Sequence, residues 1–181
     1  MGTLDEPFAD ASYIPTTLLS AFAAESVKVV LGGDGGDELF LGYPTFYAEG
    51  QVARAKLMPR LAREKMLLPL VSLFSKANTY MPAEFKWRRF LRGLDRPQGR
   101  RHVGWIGGID ARDHGDLLQG DFMEAGEDAV FAPLEVFSER FRGVNPGAEP
   151  LEELAYQYLA SYLADGVLQK VDRASMAHSL E

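Results

Sequence analysis

The chain has 181 residues, 46% of them hydrophobic and 25% charged, with a formal net charge of −7 and no cysteine. That length suffices for one domain with its own core, while the acidic balance argues against a general nucleic-acid binder, whose affinity comes from clustered cations. The missing thiols exclude disulfides, thiolate nucleophiles and zinc–thiolate sites. With no signal peptide and no apolar run near the roughly 20 residues of a membrane helix, the expectation is a cytoplasmic protein with no membrane partner.

In chain order, Ile14 to Ser26 predicts a helix, with Pro15 near its first position and Leu18, Leu19, Phe22 and Ala23 at helical spacing. Val27 to Gly32 is β-branched and apolar, the composition of a central strand in a parallel sheet. From Pro44 onward the pattern is helical with proline and glycine breaks. Its segments are 51–58, 60–76 interrupted at Pro69, 83–93, 133–143, and a long stretch 151–180 with a break expected near Asp165 and Gly166. Parallel strands are buried between neighbours, so the sister strands of Val27–Gly32 are expected outside this chain or as irregular segments within it. The expected fold is therefore an α/β parent of which this chain is a mostly α-helical piece with a remnant parallel strand.

Directly after that strand, Gly32 to Glu38 places four glycines and three acids in seven residues. Ligands of open α/β sheets bind at the carboxyl ends of strands, and glycines let the backbone approach a phosphate closely or adopt positive φ. Carboxylates beside a phosphate make sense when Mg²⁺ lies between them, because Mg²⁺ takes one or two carboxylates plus phosphate oxygens. The stretch lacks the lysine and hydroxyl of a Walker-A loop. It matches the calcium-binding nonapeptide at Gly32, Gly33, Gly35, Asp37 and Leu39, but only once, and that pattern needs stacked copies. A purely structural alternative stays open, in which Asp37 caps the next helix and Glu38 lies in its first turn.

Continued to "ELFLGY", this stretch resembles the signature S-G-[DE]-G-[GS]-D-E-[LV]-F-x-G-Y of the asparagine synthase family. The tail "KVDRASMAHSLE" is similar to the family's second signature, K-V-D-R-[AST]-S-M-A-x-[SG]-[LV]-E, and "DEPFADASYIPTTLLS" resembles the segment that precedes the first. The three matches fall in family order and bracket nearly the whole chain. The resemblance implies residues 1–181 of an adenine-nucleotide α-hydrolase-type synthetase domain, using ATP and Mg²⁺. Such an enzyme activates a carboxylate, aspartate or a similar one, as an acyl-AMP with pyrophosphate release. Ammonia from a glutaminase domain then displaces AMP. That glutaminase domain and the S-G-G-x-D-S pyrophosphate loop are not among these residues, which predicts little or no activity for the 181 residues alone. A homodimer is compatible with the resemblance.

Carried onto this sequence, the resemblance implies that Asp37 holds Mg²⁺ and pyrophosphate. Gly32, Gly33, Asp34 and Gly35 line the nucleotide, and Asp34 orients or deprotonates the incoming amine. Gly32 departs from the usual serine, and Asp34 is shorter than the frequent glutamate. Lys170 and Arg173, three apart and so on one helix face, would offset charge developing on the phosphates, with Asp172 anchoring one of them.

Other features have plainer explanations. Lys86 to Arg101 holds seven basic residues against one acid, but Trp87, Phe90, Leu91 and Leu94 share a helical face, leaving the arginines to solvent or a domain contact. Asp110, Asp113 and His114 suggest a helix start more readily than a metal site. Tyr156, Tyr158 and Tyr162 suit a core, and His178 suits packing or hydrogen bonding. Two alternatives to asparagine synthesis remain. One is a family member that amidates or cyclises another carboxylate, as a β-lactam synthetase or a polysaccharide or peptide amidotransferase would. The other is a non-catalytic helical interaction module.

Overall fold

Helices make up most of the described chain, as its breaks and periodicities predict. The computed structural model describes residues 4, 7–67, 69–70, 83–107 and 126–181. The chain divides into two compact units, Met1–Gly42 with Phe141–Glu181, and Tyr43–Arg140.

In the first unit, α1 spans Tyr13–Ala24, so Pro15 sits at its third residue rather than its first. The hydroxyls of Thr16, Thr17 and Ser20 donate to the carbonyls of Ser12, Tyr13 and Thr16, which keeps that side of the helix slim. Ser20 is its buried residue. The leucines expected to face a core are exposed within this chain, together with Ile14 and Phe22. The short helix α2 covers Gly36–Leu39.

The strand expected at Val27 to Gly32 does not form, and no β-strand occurs among the described residues. A strand needs a neighbour along its length, whereas among the described residues only one rung is completed. Glu181 donates its N–H to Lys28 O at 2.9 Å and accepts from Val30 N–H at 2.7 Å. Those two bonds straddle Val29 in the slanted pattern of a parallel pair.

The helix α7 runs from Gly126 to Val144 with Pro133 inside it, starting earlier than Pro133 as the sequence suggested, and its last residues belong to the first unit. Pro150 opens α8, Pro150–Gln157, where proline's missing N–H is harmless. Glu152 accepts from the N–H of Glu149 at 2.9 Å, and Glu152 and Glu153 lie in the positive first turn. Tyr156 stacks on Phe141 at 5.0 Å.

The expected break at Asp165 and Gly166 is absent. The chain instead widens into a π-helix, Tyr158–Leu168, and continues into α9, Gln169–Met176. A π-turn accommodates an extra residue without ending the helix. Helices α1 and α9 pack closely, with Ala174 fully buried on α9.

The second unit contains α3, Pro44–Lys56, and α4, Arg60–Ala62, prolonged by a π-turn at Arg63–Leu67. It also holds α5, Ala83–Gly93, α6, Gln98–Ile106, and most of α7. Its core gathers Val52, Leu94 and Trp105, with Phe90 and Leu91 packed against them. Trp105 Nε1–H donates to Arg89 O at 3.0 Å, and a Cβ on Gly93 would collide with that indole. The basic stretch is mostly engaged within the unit. Arg88 pairs with Glu84, Arg89 lies over the Phe85 ring, and Arg100 meets Asp128 and Glu135. Arg101, expected on the solvated side, is buried instead.

Arg101 reaches Glu49 through two nitrogens, Nε at 2.9 Å and Nη2 at 2.5 Å. It also donates to the carbonyl of Arg96 at 2.9 Å. His102, fully buried, shares Glu49 at 3.2 Å and packs against the rings of Phe46 and Trp105. Burial lowers the pKa of His102 and outweighs the opposing pull of Glu49; the Arg101 charge adds to the lowering. As pH falls below 6.5, the ordinary imidazole value, the unfolded chain therefore binds a proton that the folded chain resists. Stability should decline on acidification through that value. Urea midpoints measured on both sides of it should show this decline in the wild type and a flatter profile in His102→Gln.

Candidate functional site

The glycine-acid stretch folds into a tight loop that leads straight into α2. Gly35, not Asp37, is the residue preceding the helix, with φ 89° and no side-chain cap. An L-residue there would be strained by about 1–2 kcal/mol, and a Cβ would also approach Leu163 Cδ2 to 3.3 Å. Gly36 N–H returns to Gly33 O at 3.2 Å. At the far end Leu41 also has left-handed backbone, with φ 58°, and Gly42 N–H donates to Asp37 O at 2.9 Å. Two left-handed residues thus bracket a single turn that carries Asp37.

Within this turn the acids separate. Glu38 points inward and is 1% exposed. Asp34 and Asp37 are exposed, as are Gly32 and Gly33. The carboxylate of Asp37 occupies the space a Cβ on Gly42 would need, and that of Asp34 lies 2.7 Å from where a Cβ on Gly32 would be. The glycine at 32, where the resemblance expects serine, therefore leaves room for the short acid at 34 to fold back over it.

The loop meets the long C-terminal helix at Leu163. About two turns further along that helix carries Lys170, and three residues later Arg173, all in the same unit. Lys170 Nζ lies 3.0 Å from Ser12 Oγ and 3.3 Å from Asp10 Oδ2. Asp10 thus anchors Lys170; Asp172, which the sequence suggested as an anchor for either Lys170 or Arg173, is exposed. Burial works against ionisation of Asp10, but the bonds from Ser12 and Lys170 outweigh it and hold its pKa below the usual carboxylate value. His178 Nε2 is buried without a hydrogen-bond partner among the described residues. Asp110, Asp113 and His114 lie outside the described residues.

No group of three or more metal-ligating side chains occurs among the described residues. Two exposed carboxylates on a glycine-rich turn suit Mg²⁺, which keeps waters and binds through one or two carboxylates plus phosphate.

The sequence matches the asparagine synthase family over residues 1–181, its whole length. The chain belongs to the asparagine synthase family. It is 29% identical over 179 residues to a protein of Mycobacterium tuberculosis named putative asparagine synthetase (glutamine-hydrolyzing), an alignment covering 98% of this chain and 25% of that protein. It is 24% identical over 177 residues to asparagine synthetase (glutamine-hydrolyzing) 1 of Bacillus subtilis, covering 98% of this chain and 26% of that one. A shorter stretch of 59 residues, 33% of this chain and 12% of the relative, is 44% identical to putative asparagine synthetase (glutamine-hydrolyzing) 2 of Methanocaldococcus jannaschii. The chain thus spans about a quarter of the length of the relatives it matches end to end. No solved structure matches it.

Within this chain the sequence pointed to the loop and to Lys170 but passed over Asp10, Ser12 and Gly42. All three stand inside stretches quoted for the family resemblance. Their signal was present as letters, and its meaning required the contacts. No helix among the described residues is long and apolar enough to cross a membrane.

Proposed function

We propose that this chain forms part of the ATP-binding synthetase region of a glutamine-dependent, amide-forming ligase, built on an α/β fold of the adenine-nucleotide α-hydrolase type. The observation that carries this is the pinned turn. It presents Asp34 and Asp37 to solvent between two left-handed residues, in the same unit as the restrained ammonium of Lys170. Asp37 would hold Mg²⁺, which would supply positive charge to offset the polyphosphate, and the Gly32–Gly35 backbone would lie against the nucleotide. Lys170 and Arg173 would balance negative charge as it moves onto the leaving pyrophosphate.

In this scheme a substrate carboxylate oxygen attacks the α-phosphorus of ATP and pyrophosphate departs. Ammonia nitrogen then attacks the acyl carbon, AMP departs, and Asp34 accepts or directs the proton lost by the amine. The relatives' names, asparagine synthetase (glutamine-hydrolyzing), support taking aspartate as the first carboxylate to test and glutamine as the proposed nitrogen source.

The test is the exchange of labelled pyrophosphate into ATP by the full-length protein that carries these residues, with Mg²⁺ and a panel of carboxylates. Exchange that requires aspartate supports asparagine synthesis. Exchange that requires a different carboxylate keeps the ligase class and reassigns the substrate. Absence of both exchange and Mg·ATP binding would identify a helical interaction module and overturn the proposal.

A further inference from the structure

The ammonium of Lys170 is held by residues about 160 positions away in sequence, Asp10 and Ser12, on the approach to α1. An ammonium carries three donors. Two are directed at Ser12 Oγ (3.0 Å) and Asp10 Oδ2 (3.3 Å), and the side chain is only 14% exposed. Fixing two N–H directions on one nitrogen also fixes the third. A flexible four-carbon side chain thereby acquires a defined aim.

A simple structural pairing does not account for the arrangement. Asp10 Oδ1 accepts from the backbone N–H of Ser12 at 2.8 Å, and this bond shapes the entry to α1 without help from Lys170. An asparagine at position 10 would make the same turn. What asparagine lacks is the charge on the second oxygen, the one that faces Lys170. Helices α1 and α9 are meanwhile in contact, and each buries a small residue, Ser20 and Ala174 respectively.

We propose that Asp10 and Ser12 are positioning residues for Lys170, holding its ammonium so that the remaining N–H faces the anion bound at the glycine-acid turn. This rests on the role given to Lys170 above. A preset cation loses no side-chain freedom when the anion develops charge, which favours the transition state more than the bound substrate.

The experiment uses the full-length protein that carries these residues, with Asp10→Asn, Ser12→Ala, Lys170→Ala and the double variant Asp10→Asn/Lys170→Ala. Without nucleotide, an amine-acylating ester followed by peptide mass mapping reads the freedom of Lys170. Its labelling should accelerate about fivefold in Asp10→Asn, as expected for losing one charge-assisted bond. In steady state Asp10→Asn should lower kcat about tenfold with KM for ATP nearly unchanged. The double variant should be no slower than Lys170→Ala. Unchanged labelling in Asp10→Asn, or a double variant about tenfold slower than Lys170→Ala, overturns the positioning role alone. Faster labelling combined with full turnover in Lys170→Ala overturns the assignment of Lys170 to the reaction, and the positioning role falls with it. Ser12→Ala, which leaves both Asp10 bonds to the backbone and to Lys170 in place, should give the same pattern more weakly and serves if Asp10→Asn fails to fold.

Discussion

Asp37→Asn is expected to lower kcat/KM by at least about a hundredfold, the scale seen when one preorganised electrostatic contact is removed from a reacting centre. Asparagine matches aspartate in shape, so the space against Gly42 is filled as before. The backbone bond from Gly42 N–H to residue 37 is likewise untouched. Only the charge is lost, and Mg²⁺ discriminates strongly for charged oxygen ligands. Because the side chain of Asp37 is exposed, thermal unfolding without nucleotide should be unchanged. Titration with Mg·ATP should show the weakening directly. Activity retained within about threefold would mean that the ion, if used, is held elsewhere. Asp37 would then merely shape its turn.

Glu49→Ala should destabilise the protein by about 3 kcal/mol, measured as a shift of the urea unfolding midpoint at constant slope. Glu49 accepts two bonds from Arg101 and one from His102, and Arg101 is 4% exposed. Removing the carboxylate leaves a buried guanidinium that cannot lose its proton. It would keep its bond to the Arg96 carbonyl, but nothing would balance its charge. The pair as a whole is a different matter, because desolvating both ions offsets much of their attraction. Replacing both at once, Glu49→Leu with Arg101→Met, should therefore be clearly less destabilising than Glu49→Ala. A double replacement that costs more than the single one would show the ion pair itself to be the stabilising element.

Legibility in the sequence followed the range of the interactions. The glycine-acid turn could be read directly, because its chemistry is local: Gly35 needs positive φ and the acids follow within three residues. The helices of the second half were visible for the same reason, through periodicity and proline placement. Val27 to Gly32 reads as a strand because β-branched composition reports a preference for pairing, and among the described residues that preference is met at one rung, with Glu181. The buried trio of Glu49, Arg101 and His102 could not be seen, since about fifty residues separate its members. In the sequence Arg101 belonged to a basic run that looked solvated. Asp10 and Lys170 stand still further apart, so their pairing became visible only through the contact.

The eleven-residue π-segment between α8 and α9 has a geometric consequence for Lys170. Each α-helical residue advances about 100° around the axis, and the wider π-turn advances less. Over the segment this lag accumulates into a large change of azimuth for everything that follows. A regular helix of the same sequence would leave α9 intact yet rotate Lys170 away from Asp10 and Ser12. The compass bearing of that ammonium is thus written into how loosely the preceding turns are wound.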